Sequence, residues 1–166
     1  MKYVKGNLLE MARMGDFQVI GHGCNCFCTM GAGIAKQVRA EAPDAYVVDC
    51  KTQYGDKGKL GTYSGSIIKP DSKFSNAHEY WCLNLYTQHK YTRTEVDVDY
   101  DAIRGCMKEI AKTFGKNSIG LPLIGAGLAG GDWETIEAII EEELHGLDVT
   151  IVVWEKDEEN LKKFGL

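Results

Sequence analysis

The sequence lacks any tract rich in lysine or arginine, and its 166 residues carry a formal net charge of −5 at pH 7. A protein that mainly grips a nucleic-acid backbone normally presents a strongly basic surface, because such binding depends on neutralising phosphates. We therefore do not expect a nucleic acid to be the principal partner. A small anionic ligand is compatible with this charge, because backbone N–H groups can bind phosphate without lysine.

Long apolar segments are also missing. No run approaches the roughly 20 residues that a membrane helix needs, and the first seven residues contain no apolar stretch of the kind found in secretion signals. We therefore expect a cytoplasmic protein with no membrane partner. The composition, 44% hydrophobic and 26% charged, is ordinary for a globular protein, and the length suits one monomeric domain over residues 1–166.

The six cysteines do not form the pairs that a disulfide scaffold or a structural zinc site uses. Cys24, Cys26 and Cys28 alternate with other residues, whereas zinc ligands normally come as two separate pairs. In an extended segment three alternating thiols would point the same way, so a metal site remains an alternative. We expect free thiols in a reducing compartment, with no metal and no other cofactor.

Two glycine-rich stretches each stand between a predicted strand and a predicted helix. The first contains Gly31 and Gly33, and the second contains Gly125, Gly127 and Gly130. Glycine lets a backbone approach a ligand closely, and the start of the following helix offers unpaired N–H groups that favour phosphate. Two such loops in one small domain could clamp a diphosphate from both sides.

The second glycine stretch matches the pattern G-x-G-x-x-G, but no second βαβ half follows it. It therefore predicts phosphate binding without a Rossmann fold. Strands are predicted at 2–5, 17–20, 62–68, 80–86, 118–124 and 148–154, and helices at 8–13, 33–42, 45–54, 97–114, 132–144 and 157–164. This alternation predicts an α/β fold with helices on both faces of a mixed, mainly parallel sheet.

Four polar or aromatic residues near the loops are candidates for chemistry or binding. His22 and Asn25 follow the predicted strand 17–20, where a histidine can act as acid, base or nucleophile and an asparagine can hold a ribose hydroxyl. Both residue types also order loops by hydrogen bonding. Asp132 could serve chemistry or simply cap a helix. Trp154 could stack on a base or simply pack.

Several motifs together resemble the macrodomain family, the ADP-ribose-binding modules, over nearly the whole chain. The resemblance is to the branch that includes ADP-ribose 1″-phosphate phosphatases and terminal ADP-ribose glycohydrolases. The motifs that carry it are Tyr3-Val-Lys-Gly-Asn7, His22-Gly-Cys-Asn25, Met30-Gly-Ala-Gly-Ile-Ala35, Asn84-Leu-Tyr-Thr-Gln88, Pro122-Leu-Ile-Gly-Ala-Gly-Leu-Ala129 and Trp133-Glu134.

This resemblance implies a three-layer α/β/α sandwich with ADP-ribose in a cleft at the strand ends. Asn25 would face the distal ribose. Asn7 stands where many macrodomains carry an aspartate that pairs with the adenine amino group, and asparagine can still accept that bond. The other expected ligand-binding residues are Leu8 and Trp154, with the backbone of Gly31, Ala32, Gly33, Ile34 and Ala35 and of Gly125, Ala126, Gly127, Leu128 and Ala129 at the diphosphate and distal ribose.

The resemblance also bears on mechanism. The glycohydrolases of this branch use a lysine and an aspartate at the positions of Gln88 and Ala129, so a lysine adduct is not expected here. The phosphatases resemble this chain in having a histidine at His22 and an aspartate that we place at Asp132. The implied activity is metal-free removal of the 1″-phosphate from ADP-ribose 1″-phosphate.

In that reaction His22 would be nucleophile or general acid/base, and Asp132 would orient it, activate water or protonate the leaving oxygen. A phosphohistidine and direct attack by water both remain open. Two other functions are alternatives: removal of ADP-ribose from a modified protein or nucleic acid, and binding of ADP-ribose without turnover.

Overall fold

The computed structural model describes residues 1–71, 73 and 76–166. Its strands are β1 (Lys2–Gly6), β2 (Val19–Cys24), β3 (Tyr63–Ile68), β4 (Tyr80–Tyr86), β5 (Ile119–Leu121) and β6 (Val149–Trp154). Its helices are α1 (Leu8–Arg13), α2 (Gly33–Glu41), α3 (Pro43–Cys50), α4 (Tyr100–Phe114), α5 (Trp133–Glu143) and α6 (Glu158–Lys163), with a 3₁₀ turn at Lys57–Lys59.

The strands form one sheet in the order β1-β6-β5-β2-β4-β3. All neighbouring strands are parallel except β3, which is antiparallel to β4. Helices α4 and α5 cover one face and bury a core that includes Ile103, Met107 and Ile136. Helices α1, α2 and α3 cover the other face. The predicted three-layer α/β/α sandwich with a mixed, mainly parallel sheet is confirmed.

Helix α4 shows why the apolar spacing predicted its position. Ile103, Met107 and Ile110 recur at intervals of three and four and are fully buried against the sheet. Asp99 begins the helix, because its Oδ1 accepts a hydrogen bond from the Ala102 N–H at 2.9 Å. In residues 1–71, 73 and 76–166, no helix is long and apolar enough to cross a membrane.

Strand β2 differs from its prediction, because it begins at Val19 and continues to Cys24. Its glycines fit this central position, where neighbouring side chains press against the backbone. A Cβ on Gly21 would lie 2.8 Å from Leu85 Cδ1, and one on Gly23 would lie 2.9 Å from Thr87 Oγ1. Residues that suggested a loop therefore form the middle of the sheet.

Helix α3 was also placed too late in the sequence. It begins at Pro43, whose missing N–H costs nothing at the first helical position, and it ends at Cys50. Asp44 lies in the first turn of α3, and Ala42 holds the cap position without a side-chain hydrogen bond.

The topology brings five strand ends together. The carboxyl ends of β1, β6, β5, β2 and β4 lie at one edge of the sheet, in that order, because these strands are parallel. At a spacing of about 4.8 Å per strand, this row spans about 19 Å. Ligands of open α/β sheets bind outside such carboxyl ends.

The middle of β5 gives a test of the packing. A Cβ on Gly120 would lie 2.6 Å from Phe17 Cδ2 and 2.9 Å from Leu8 Cδ1. We expect Gly120→Ala to lower the free energy of unfolding by about 1–3 kcal/mol through overpacking. Gly127→Ala is the matched control, because a Cβ on Gly127 meets no atom within 4 Å. Equal stabilities of the two variants in urea denaturation would contradict this packing.

Candidate functional site

A cleft of about 1260 Å³ runs along the row of strand ends. The loop after β2 forms one wall and the loop after β5 forms the other. The cleft exceeds the usual volume of a pocket for a drug-sized molecule, and it suits a ligand the size of a dinucleotide. Of the predicted site residues, Leu8, Asn25, Gly31, Ala32, Gly33, Ile34, Ala35, Gly125, Ala126, Gly127, Leu128, Ala129, Asp132 and Trp154 line it.

The first wall is ordered by its own polar side chains. The Asn25 Oδ1 accepts a hydrogen bond from the Phe27 N–H at 2.8 Å, and the Asn25 Nδ2 donates to Thr29 Oγ1 at 2.7 Å. Cys28 and Met30 take positive φ angles of 54° and 38°, which non-glycine residues rarely adopt. The wall is therefore preformed, and Asn25 both orders it and faces the cleft.

The second wall closes on itself through backbone hydrogen bonds. The Gly131 N–H donates to the Gly125 carbonyl at 2.8 Å, and Gly125 takes a φ of 73° that a side chain would strain. Leu128 is 56% exposed and reaches toward the first wall, because a Cβ on Gly33 would lie 3.7 Å from Leu128 Cδ1. The two glycine loops therefore face each other across the cleft.

Asp132 stands at the end of the second wall and begins α5. Its Oδ2 accepts hydrogen bonds from the Thr135 hydroxyl at 2.6 Å and the Thr135 N–H at 3.0 Å. These bonds lower the pKa of the Asp132 carboxyl, which is exposed at the cleft. The capping role is present in the structure, and it leaves an ionised carboxylate beside the glycine loop.

His22 is placed differently from the prediction. It lies inside β2, not in a loop, and is 1% exposed. Its ring is not among the groups that line the cleft. The expectation of a histidine facing the ligand is corrected: the ring is buried and bonded to Asn84 of β4, whose side chain in turn reaches α3.

The partners of His22 fix its protonation. Its Nε2 lies 2.8 Å from the Asn84 Oδ1. Asn84 is oriented by its own Nδ2, which donates to the Ala45 carbonyl at 2.9 Å, so its Oδ1 is the acceptor and His22 Nε2 donates. Burial lowers the pKa of His22 to about 4, so its ring is neutral near pH 7.

The hydrogen bonds continue beyond Asn84 to a carboxyl group. The Asn84 Nδ2 also donates to Ser64 Oγ at 3.0 Å, and Ser64 Oγ lies 2.7 Å from the Tyr86 hydroxyl. The Tyr86 hydroxyl donates to the Asp49 Oδ1 at 2.7 Å. We call the chain His22–Asn84–Ser64–Tyr86–Asp49 the buried relay. All its hydrogen bonds can donate in the same direction, toward Asp49.

Asp49 is the one member of the buried relay that lines the cleft, and the sequence reasoning missed it. It is 1% exposed, and burial raises the pKa of its carboxyl above the ordinary value. A signal was available: Asp49 follows the buried Ala45 by four residues on α3, so it lies on the buried face of that helix.

Arg93 is a second cleft-lining residue that the sequence reasoning missed. It has a φ of 60°, and its backbone N–H donates to Asp97 Oδ2 at 3.2 Å. The Asp97 carboxylate also accepts from the Thr92 hydroxyl, and the Asp97 N–H donates to the Ala129 carbonyl at 2.9 Å. In the described part of the chain, no ion pair engages the exposed Arg93 guanidinium.

The opposite end of the cleft carries Trp154, which is 53% exposed. Asn7 lies close by in sequence to the cleft residues Gly6 and Leu8 but does not itself line the cleft. Its Oδ1 instead accepts from the Glu10 N–H at 3.2 Å and from Gln37 Nε2 at 3.0 Å. The Asn7 Oδ1, which was predicted to bind adenine, therefore accepts hydrogen bonds from the protein at the start of α1.

The three alternating cysteines point to different partners. The Cys24 Sγ lies 3.6 Å from the His22 ring, Cys26 Sγ donates to the Gln88 carbonyl, and Cys28 Sγ donates to the Asp49 carbonyl. Within the described ranges, no group of three or more His, Cys, Asp or Glu side chains could hold a metal ion.

The buried His22 generates a prediction about stability and pH. Because its pKa falls from 6.5 to about 4 on folding, the unfolded chain binds more protons, so stability falls as the pH drops from 6.5 toward 4. The shift corresponds to about 3 kcal/mol. We expect His22→Gln, which keeps an N–H donor for Asn84, to remove much of this decline in urea denaturation at each pH. The control variant His145→Gln, changed at an exposed histidine, should show the same decline in stability as wild type. Identical dependence of stability on pH in wild type and His22→Gln would refute the prediction.

The comparisons with known proteins agree with this architecture. The family model described as Macro domain matches residues 22–140. The chain is 37% identical over 161 residues to the "uncharacterized 17.5 kDa protein in tk-vs intergenic region" of Enterobacteria phage T4, covering 93% of this chain and 97% of that protein. It is 26% identical to an ADP-ribose 1″-phosphate phosphatase of Meyerozyma guilliermondii, covering 92% and 98%.

Among solved structures, Thermosipho africanus DarTG in complex with ADP-ribose superposes with a TM-score of 0.71 at 18% identity, over 92% of this chain and 40% of that one. This likeness shows the shared fold. The matching family model and the phage relative both span most of the chain. The chain belongs to the macro domain family.

Proposed function

We propose that this protein binds ADP-ribose derivatives and hydrolyses ADP-ribose 1″-phosphate to ADP-ribose and phosphate. The observation that carries the proposal is the cleft between two glycine loops at the ends of five parallel strands. Such loops offer backbone N–H groups to a diphosphate. The name of the Meyerozyma guilliermondii relative supports the same substrate.

The strand order suggests how the ligand lies. Trp154 ends β6 and is exposed, so the adenine would stack at the β1–β6 end. The diphosphate would then lie between the glycine loops that follow β5 and β2. The distal ribose would reach the β4 end, where Asn25, Asp49 and Arg93 line the cleft.

Arg93 favours a phosphate on that distal ribose. A guanidinium binds phosphate through paired N–H donors, and this one has no acidic partner among the described residues. Its N–H donates to Asp97 Oδ2, and this bond helps to hold an uncommon backbone conformation at a residue that lines the cleft.

In the proposed reaction, water attacks the phosphorus and the bond between phosphorus and the anomeric oxygen breaks. The ionised Asp132 would accept a proton from the attacking water, and loop N–H groups would stabilise the charge on the phosphoryl oxygens. Asn25 would hold a ribose hydroxyl. His22 would act as a positioning residue through the buried relay, and its burial favours direct attack by water over a phosphohistidine.

The first test is phosphate release from ADP-ribose 1″-phosphate in EDTA, alongside calorimetric titration with ADP-ribose. We expect both turnover and binding.

Asp132→Asn should lower the rate about 10²-fold or more, because it removes the base, while asparagine still caps α5. Binding of ADP-ribose by this variant should be retained. Absence of turnover in the wild type would reject the phosphatase function.

A second candidate function is removal of ADP-ribose from a larger substrate. A cavity of about 360 Å³, lined by Phe27, Tyr54 and Tyr91, adjoins the cleft, and Tyr91 lines both. Tyr54 and Tyr91 are exposed and pack around Phe27. Aromatic rings beside the distal ribose could contact a base or side chain attached there. Binding without phosphate release would favour this function or a module that only binds.

Arg93 gives a sharper test of the substrate. We expect Arg93→Ala to weaken apparent affinity for ADP-ribose 1″-phosphate at least tenfold, because the terminal phosphate loses its cation, and to change ADP-ribose affinity less than threefold. Lys108→Ala, on the outer surface of α4, is the matched control for lost charge. Equal losses for both ligands would show that Arg93 does not contact the terminal phosphate.

A further inference from the structure

We propose that Asp49 is the proton donor to the oxygen on the anomeric carbon of the distal ribose. The proposal rests on the proposed function, since it names the acid for that reaction. The Asp49 carboxyl lies on the buried face of α3, and the proposed role explains why the protein keeps an acidic side chain there. Asp49 would touch the substrate and therefore be a catalytic residue.

The position of Asp49 supports this role. Helix α3 packs against β3 and β4, which form the end of the sheet where the distal ribose is expected. Asp49 lines the cleft there together with Cys24, the last residue of β2, and Gln88, which follows β4. With the ligand oriented as proposed, a carboxyl at this place would lie nearer to the distal ribose than to the diphosphate.

The hydrogen bonds of Asp49 leave one oxygen for a ligand. The Oδ1 accepts from the Tyr86 hydroxyl at 2.7 Å, and the backbone carbonyl accepts from the Thr52 hydroxyl at 2.6 Å and the Cys28 thiol. No described residue bonds to Oδ2. The Tyr86 hydroxyl fixes the carboxyl plane, so Oδ2 is the oxygen that can carry and donate the proton.

The surroundings of Asp49 favour its neutral form. Burial is the main cause of its raised pKa, and it outweighs the Tyr86 hydrogen bond and the positive charge of Lys59, which lower it. Lys59 is not paired directly with Asp49; its Nζ donates to Thr52 Oγ1 at 2.8 Å. The titratable groups that face Asp49 are Lys59 in the 3₁₀ turn, Tyr86 in β4, Cys24 in β2, Cys26 and Cys28 in the following loop, and Tyr46 in α3.

Among the described residues, three aspartates line the cleft, Asp49, Asp132 and Asp157, and the first two have opposite environments. Hydrogen bonds from Thr135 keep exposed Asp132 ionised, whereas burial favours protonated Asp49. Opposite environments of this kind separate the base from the acid when two carboxyl groups act on one substrate. Asp132 takes a proton from water as the new P–O bond forms, Asp49 gives its proton to the anomeric oxygen as the old bond breaks, and solvent water returns both groups to their starting forms.

The decisive variant is Asp49→Asn, which preserves shape and the acceptor for Tyr86. We expect phosphate release to fall at least 10²-fold with ADP-ribose affinity at pH 7 within threefold. Wild-type activity should decline as rising pH deprotonates Asp49, and this alkaline limb should be absent from the residual activity of the variant. Asp44→Asn, exposed on the same helix, is the matched control and should behave as wild type.

Calorimetry with ADP-ribose separates this proposal from the phosphatase function. A protonated Asp49 donates a hydrogen bond to the anomeric hydroxyl, so wild-type affinity should weaken as pH rises, and Asp49→Asn should remove that dependence. One outcome of these assays is that wild type releases no phosphate and still shows a pH-dependent ADP-ribose affinity that Asp49→Asn lacks. In that case the phosphatase function fails, and Asp49 keeps its role as a hydrogen-bond donor to the anomeric hydroxyl. The same pH dependence of affinity in both proteins would overturn the proposal, as would phosphate release within threefold of wild type.

A second variant covers the case in which Asp49→Asn does not fold. Tyr86→Phe removes the hydrogen bond that lowers the pKa of Asp49, so the carboxyl should stay protonated to higher pH. We expect the alkaline limb of phosphate release, or of ADP-ribose affinity, to move to higher pH. An unmoved limb in a variant with a wild-type circular dichroism spectrum would overturn the proposal.

Discussion

The site depends on the pairing of β2 between β4 and β5. This pairing places the ends of parallel strands in one row and brings the two glycine loops to opposite walls of one cleft. Gly21 and Gly23 permit it, because side chains from the neighbouring strands and loops occupy the space that a Cβ would need. The cleft at this edge therefore follows from close packing in the centre of the sheet.

The same pairing sets His22 opposite Asn84 and starts the buried relay. Polar groups in a core are costly unless each one is bonded, and here each member bonds the next. The relay ends at Asp49, the member that reaches the cleft. A buried histidine that does not line the cleft is thus linked by hydrogen bonds to a residue that does.

Much of the fold was predictable because its signals are local. Periodic apolar residues located α4, alternating strands and helices gave the three layers, and glycine stretches located both walls. The predicted backbone contacts of Gly31 and Gly125 fall on the cleft for the same reason. The predicted loop position of His22 and the predicted start of α3 were wrong. His22 lies in a strand whose partners are distant in sequence, and α3 begins at Pro43, two residues before the predicted helix.

The order of elements, the two glycine loops and the family could be predicted from the sequence alone, because each depends on residues that are close together in the chain. Which polar residues line the cleft depended on the tertiary structure. Asp49 reaches the cleft through the packing of α3, and Arg93 through the turn that Asp97 holds. His22 is buried beside Asn84 of β4. Contacts between elements set most of these directions; the spacing of four residues between Ala45 and Asp49 on α3 is the local signal that was present.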